Sequence, residues 1–183
     1  IFARNCRDIT LRASRIAGGS FGLYAYDDID AGDRSHTFTI EGNRWVQDPA
    51  LWRSIEWIDA HHRGHAHLNG GLFGSWDIAG NVVFAFNEVM DAFNGMRIDT
   101  SARLESRTAE LARRSRNFDI HHNRFVRIRD NPVEPESYAV NWHVHHNLFV
   151  DCHASFSLDG VGGGYWFFYC NCGRFQSAPG GVA

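Results

Sequence analysis

Phe118-Asp119-Ile120-His121-His122-Asn123-Arg124-Phe125-Val126 and Trp142-His143-Val144-His145-His146-Asn147-Leu148-Phe149-Val150 are two copies of one unit, with their asparagines 24 residues apart. A further step of 24 lands on Asn171, at the end of Trp166-Phe167-Phe168-Tyr169-Cys170-Asn171. Towards the N-terminus the unit is legible in Val82-Val83-Phe84-Ala85-Phe86-Asn87-Glu88-Val89 and in Phe38-Thr39-Ile40-Glu41-Gly42-Asn43-Arg44-Trp45. A fainter copy, Ile9-Thr10-Leu11, puts Ser14 where the others have asparagine. Each copy is a short strand of period-two alternation, then asparagine, then another apolar pair.

A strand this short cannot bury its apolar face alone. Copies stacked about 4.8 Å apart build a shared core instead. Asparagine at a tight bend tolerates left-handed backbone and bonds its own neighbours, so the pattern predicts a ladder of Asn43, Asn87, Asn123, Asn147 and Asn171. A β-sandwich would not repeat one residue type at equal spacing. The expected fold is all-β, a parallel β-helix with short helical loop insertions.

The rung resembles those of right-handed parallel β-helix proteins of the pectate-lyase-like superfamily, over residues 8–175. The resemblance implies a right-handed coil and a polysaccharide-active enzyme: a lyase, a hydrolase or an epimerase. It also implies an extracellular or periplasmic location. Residues 1–183 read as a single β-helix domain. Strand-like sequence close to both ends, without charged caps, reads as an internal fragment of a longer chain.

Composition narrows the field. The net charge of −3 gives no whole-molecule argument for nucleic acid. No apolar run approaches the roughly 20 residues of a membrane helix. All 18 basic residues are arginine, so a general base must be His, Tyr, Arg or a carboxylate. Cys6, Cys152, Cys170 and Cys172 fit no zinc spacing and are expected to be buried free thiols.

The asparagine spacing also locates insertions. Asn87 to Asn123 is 36 residues, and the surplus falls in residues 100–116, rich in helix formers and arginine. Asn43 to Asn87 is 44 residues, and Asp48-Pro49 followed by Leu51, Trp52, Ile55 and Ile58 predicts a helix over 49–58. Both insertions border a further strand of each rung. It is aligned as Met96-Arg97-Ile98-Asp99, Val133-Glu134-Pro135-Glu136 and Phe156-Ser157-Leu158-Asp159, with residues 71–75 beginning the stack. Loops on both sides would make its outer face a groove.

Alternation sends Arg97, Glu134 and Ser157 outward in one column and Asp99, Glu136 and Asp159 in the next. Carboxylates about 4.8 Å apart repel by roughly 0.9 kcal/mol in water and about 3.5 kcal/mol at an effective dielectric near 20. A cation, Arg97 or a raised pKa should relieve that cost; calcium is the cation such a column could hold, and no other cofactor is implied. The catalytic candidates are therefore Arg97, Asp99, Glu134, Glu136 and Asp159, with Glu136 at the centre. The alternative is a solvated charged face.

Histidines form two more groups. Asp119, His121, His143 and His145 should stack outward as a block able to hold zinc or supply a base, or to be only a surface stack; His122 and His146 should face the core. His65 and His67 lie in a His- and Gly-rich run just before the groove strand, where Phe73 and Trp76 could offer a ring to a sugar. Substrate-binding candidates are His65, His67, Phe73, His121 and His145. The expected function is action on an extended anionic glycan in a groove on one face, by a monomer without nucleic-acid partner. β-Elimination and hydrolysis both stay open. The rival is a non-catalytic β-helix: a surface protein, an adhesin or a carbohydrate-binding protein.

Overall fold

The computed structural model describes residues 1–27, 35–48, 68–100, 113–158 and 162–175. The helices expected over 49–58 and 100–116 lie outside these residues, apart from the ends of the second at 100 and 113–116. The regular structure consists of strands numbered β1 to β17 along the chain. They form three parallel sheets, wound as a right-handed parallel β-helix.

The ladder sheet precedes the asparagines and holds β2 (Arg7–Arg12), β5 (His36–Glu41), β8 (Gly80–Ala85), β11 (Arg116–His121), β14 (Tyr138–His145) and β16 (Gly162–Tyr169). The sheet after the asparagines holds β3 (Arg15–Ala17), β6 (Arg44–Val46), β9 (Glu88–Ala92), β12 (Arg124–Ile128), β15 (Leu148–Val150) and β17 (Cys172–Arg174). The groove sheet holds β1 (Phe2–Arg4), β4 (Leu23–Tyr26), β7 (Phe73–Trp76), β10 (Met96–Asp99) and β13 (Val133–Pro135). It thus begins two strands earlier than the sequence suggested, in the first coils, where the repeat is faintest. Because β5 pairs directly with β8 and β6 with β9, a single coil separates Asn43 from Asn87. The surplus there is an insertion.

Register puts like with like inside. Phe38, Val82, Phe118, Trp142 and Trp166 form one inward column, and Ile40, Phe84, Ile120, Val144 and Phe168 the next. Trp45, Val89, Phe125 and Phe149 line the facing sheet. Most of these side chains are wholly buried, each stabilising the coil by roughly 1.5–3 kcal/mol. No helix among the described residues is long and apolar enough to cross a membrane.

The asparagines stack as the spacing predicts. Each side-chain oxygen accepts the backbone N–H of the preceding asparagine at 2.9–3.0 Å and its side-chain N–H at 3.0–3.1 Å. Each side-chain nitrogen also donates to a carbonyl of the coil below: Asn123 to Phe84, Asn147 to Ile120. Ser14 opens the column, its N–H donating to Asn43 Oδ1 at 3.0 Å.

One detail corrects the reading. The left-handed residue is the one before asparagine, with φ of 49–64° at Ala13, Gly42, Phe86, His122, His146 and Cys170. That conformation ends the strand alternation and turns the side chain outward. His122 and His146 are therefore exposed, not core-facing. All four cysteines are free, but Cys170 and Cys172 are exposed, whereas burial pushes the Cys152 thiol up to about 12.

Candidate functional site

The outer face of the groove sheet carries two columns along the solenoid axis. One runs Phe2, Tyr24, Gly74, Arg97, Glu134; the other runs Arg4, Tyr26, Trp76, Asp99. Glu136 extends the second, because its N–H donates to Ile98 O at 2.8 Å and continues the pairing past β13. The strip changes character half-way, from aromatic to acidic.

In the aromatic half, Phe2 lies 6.0 Å from Tyr24 and 6.4 Å from Tyr26 between ring centroids. Phe21 comes from the preceding loop to within 4.7 Å of Tyr24, and the Arg4 guanidinium sits 5.9 Å over Tyr26. Gly74 makes room for Phe21: a Cβ there would meet the Phe21 ring at 2.2 Å. Of the two rings expected to face a sugar, Trp76 is outward and half-buried. Phe73 is not. Alternation turns it into the core, fully buried, 5.5 Å from Phe38. Phe2, Phe21, Tyr24 and Tyr26 escaped the sequence reading, although period-two alternation in Leu23-Tyr24-Ala25-Tyr26 was the signal that could have found two of them.

In the acidic half, Arg97 lies among three carboxylates. Its Nε donates to Glu136 Oε1 at 2.9 Å and lies 3.5 Å from Glu134 Oε2; a terminal nitrogen lies 3.7 Å from Asp99 Oδ2. Glu134 is buried and held on both oxygens, accepting from Asn94 Nδ2 at 2.7 Å and Asn131 Nδ2 at 3.2 Å. Asn94, itself fully buried, is fixed in turn by Asn69 at 2.9 Å. Asp99 accepts from the Thr100 N–H at 2.7 Å and the Ser137 hydroxyl at 3.0 Å. Sequence reasoning missed these asparagines and the serine, because they bond inward from the ends of the strands.

The electrostatics follow from that packing. Burial, helped by the charges of Glu136 and Asp130, pushes Glu134 up to about 8, with Arg97 pulling the other way. Burial also raises Asp99, against its bond from Thr100 and the charge of Arg97. For Arg97, burial disfavours the cation, but Glu136, Glu134 and Asp99 together outweigh it and raise its pKa. Arg97, Asp99, Glu134 and Glu136 are thus one cluster holding a cation, with a carboxyl able to carry a proton at neutral pH. Asp159, expected to complete the carboxylate column, lies outside the described residues, as do His65 and His67.

No family profile, curated protein or solved structure matches the chain.

His121 and His145 lie on the outer face of the ladder sheet, not on the groove sheet. Their rings stack at 5.1 Å, and His145 Nε2 is 2.9 Å from Asp119 Oδ1. His143 stacks instead on Phe167 at 4.5 Å. Among the described residues, no group of three or more His, Cys, Asp or Glu side chains is arranged to hold a metal ion.

Proposed function

We propose that this protein is a polysaccharide-active enzyme, acting outside the cytoplasm on an extended glycan laid along the groove sheet, in the manner of pectate-lyase-like β-helix proteins. One observation carries the reading: a line of aromatic rings leads directly into a cluster of three carboxylates and an arginine on the same outer face. Aromatic faces take the apolar faces of sugar rings. Carboxyl groups in unlike environments divide the labour of acid and base.

Within that reading, hydrolysis is favoured over β-elimination. Elimination needs a cation to neutralise a uronate carboxylate, and Arg97 is already engaged with Glu136, Glu134 and Asp99. Hydrolysis needs one protonated carboxyl beside an ionised one. Glu134, pushed up to about 8 by burial, is the group suited to act as the acid; Glu136, half-exposed and held by Arg97, is suited to act as the base. The test is to incubate the intact chain with neutral and acidic polysaccharides, reading both new reducing ends and unsaturated uronate products. Reducing ends alone are expected, unaffected by a calcium chelator, with Glu136→Gln lowering the rate about 10²–10⁴-fold. Unsaturated products that vanish on chelation would make the cluster a calcium-dependent lyase site instead. The aromatic half also supports a second reading, glycan binding without turnover. In that case no product forms, yet glycan affinity falls in Tyr24→Ala.

A further inference from the structure

The outer face of the ladder sheet carries a second constellation, independent of the groove. At the bend of two consecutive coils, neighbouring histidines turn their Nδ1 atoms towards each other: His121 to His122 at 3.0 Å and His145 to His146 at 2.8 Å. Within each pair the ring planes are nearly perpendicular, at 89° and 85°. From coil to coil they stack, His121 on His145 at 5.1 Å and His122 on His146 at 5.0 Å. The left-handed turn that exposes His122 and His146 creates the pairing, because it swings two consecutive side chains to one side.

Asp119 settles which nitrogen of His145 is available. A carboxylate only accepts, so His145 Nε2 carries the proton it donates to Asp119 Oδ1 at 2.9 Å. In the neutral ring that leaves the Nδ1 lone pair facing His146. A carboxylate fixing the distal nitrogen of an imidazole is the usual outer support of a metal-bound histidine. Both Nδ1 separations are hydrogen-bond distances, so in the metal-free chain His146 Nδ1–H donates to His145 Nδ1, and an ion entering the pair must displace that proton. The same separation is compatible with two metal–nitrogen bonds of about 2.0–2.1 Å at right angles, which put their nitrogens about 2.8–3.0 Å apart. Right-angled nitrogen coordination suits Cu(II) or Ni(II).

We propose that His145 and His146 form a two-nitrogen clip for a Cu(II) or Ni(II) ion, with Asp119 as its positioning residue and water in the remaining coordination places. The clip has two protein donors, and among the described residues no third His, Cys, Asp or Glu side chain is placed to join them. His121 and His122, one coil away, share the paired Nδ1 atoms but not the carboxylate bond, since His121 Nε2 lies 3.9 Å from Asp119 Oδ2. That pair fills second, because it lacks this support and because two divalent ions one coil apart repel.

The experiment titrates the full chain with Cu(II) in a non-coordinating buffer, followed by electron paramagnetic resonance and by paramagnetic broadening of assigned imidazole signals. One ion per chain should bind first, with nitrogen hyperfine structure and early loss of the His145 and His146 signals. His146→Ala should weaken binding at least about 10-fold and Asp119→Asn about 10–100-fold, without loss of fold. His143→Ala should bind as the parent does, since its ring lies on Phe167. The proposal is overturned if His146→Ala binds undiminished. It is equally overturned if signals from residues 61–67 fade while those of His145 persist, or if no stoichiometric ion binds.

Discussion

Two strips run along the axis of this solenoid, and they obey opposite rules. The buried asparagine column repeats one residue five times, with the bonds reproduced to within about a tenth of an ångström. The outer strip of the groove sheet repeats nothing: Phe2, Tyr24, Gly74, Arg97 and Glu134 follow one another in register. A buried polar group must be satisfied by the coils on either side, so its identity is copied from coil to coil. An outward position has water as an alternative partner, so its identity need not be copied from coil to coil. On this solenoid the buried repetition marks the scaffold, and on the groove sheet the candidate site lies where repetition is lost.

The largest effect expected from breaking this contrast is at the centre of the ladder. Asn123→Ala removes the acceptor of two donors on Asn87, at 2.9 and 3.1 Å, and the donor to Phe84 O at 2.7 Å. The Asn87 backbone N–H and Phe84 O lose these bonds while buried, at about 1–3 kcal/mol each, whereas Asn87 Nδ2 keeps its bond to Ile40 O at 2.8 Å. Urea unfolding should show a loss of about 3–5 kcal/mol, with a smaller loss for Asn171→Ala at the half-buried end of the column. A loss below about 1 kcal/mol for Asn123→Ala would mean that the stacked rings alone hold the coils, and that the ladder merely follows.

The acidic half of the outer strip should instead show itself through pH. Glu134 titrates near 8 in the folded chain and near 4.5 when unfolded. Between these values the folded state holds a proton that the unfolded chain has released, so stability falls as pH rises through that window. Below it both states are protonated and the cost disappears. At roughly 1.4 kcal/mol per unit the full loss is a few kcal/mol, and Asp99, also raised by burial, acts with the same sign. His121, lowered by burial, acts the other way and on the acid side. Unfolding midpoints at pH 5 and pH 8.5 should differ in the parent, and the difference should shrink in Glu134→Gln, leaving the part that Asp99 contributes. Persistence of the full difference in that variant would take the proton away from Glu134.

What could be read from the sequence follows the same division. The ladder, the strand register and the outward set Arg97, Asp99, Glu134 and Glu136 all come from a period of 24 and an alternation of two, which survive without knowledge of contacts. Alternation fails where the backbone leaves the β region. His122 and His146 were lost for that reason, since positive φ reverses the side on which they emerge. Phe73 was misplaced for a different reason: a glycine-rich lead-in hid its parity, which pairing with Met96 and Leu23 fixes as inward. Asn94, Asn131 and Ser137 lie beyond strand ends, where no period constrains the chain, yet they hold the carboxylates.

A smaller effect tests the aromatic half. Gly74→Ala puts a methyl group where the Phe21 ring now lies, so the ring must move off the sheet. The overpacking should cost about 1–2 kcal/mol, because the obstructing atoms belong to a side chain at the rim and not to the backbone. Ring-current shifts on Tyr24 should change with it, as the 4.7 Å contact is lost. Unchanged Tyr24 shifts would show that Phe21 does not rest on that face in solution.

The smallest effect sharpens the comparison most, because it keeps the residue type and changes only its burial. Asn81, Asn117 and Asn141 form a second asparagine ladder on the outer surface: Asn117 Nδ2 donates to Asn81 Oδ1 at 2.8 Å, and Asn141 Nδ2 donates to Asn117 Oδ1 at 2.9 Å. Water competes for every one of these groups, so removing the bonds should cost little. All three residues also have φ of 56–57°, a conformation asparagine tolerates and alanine resists. The two contributions separate by substitution. Asn117→Gly removes the side-chain bonds but accepts the backbone, and should change stability by no more than about 0.5 kcal/mol. Asn117→Ala adds the left-handed penalty, and should cost about 1–2 kcal/mol. If Asn117→Gly were as damaging as Asn123→Ala, exposure would not be what separates the two columns. Coil-to-coil side-chain bonding would then hold this solenoid together inside and out.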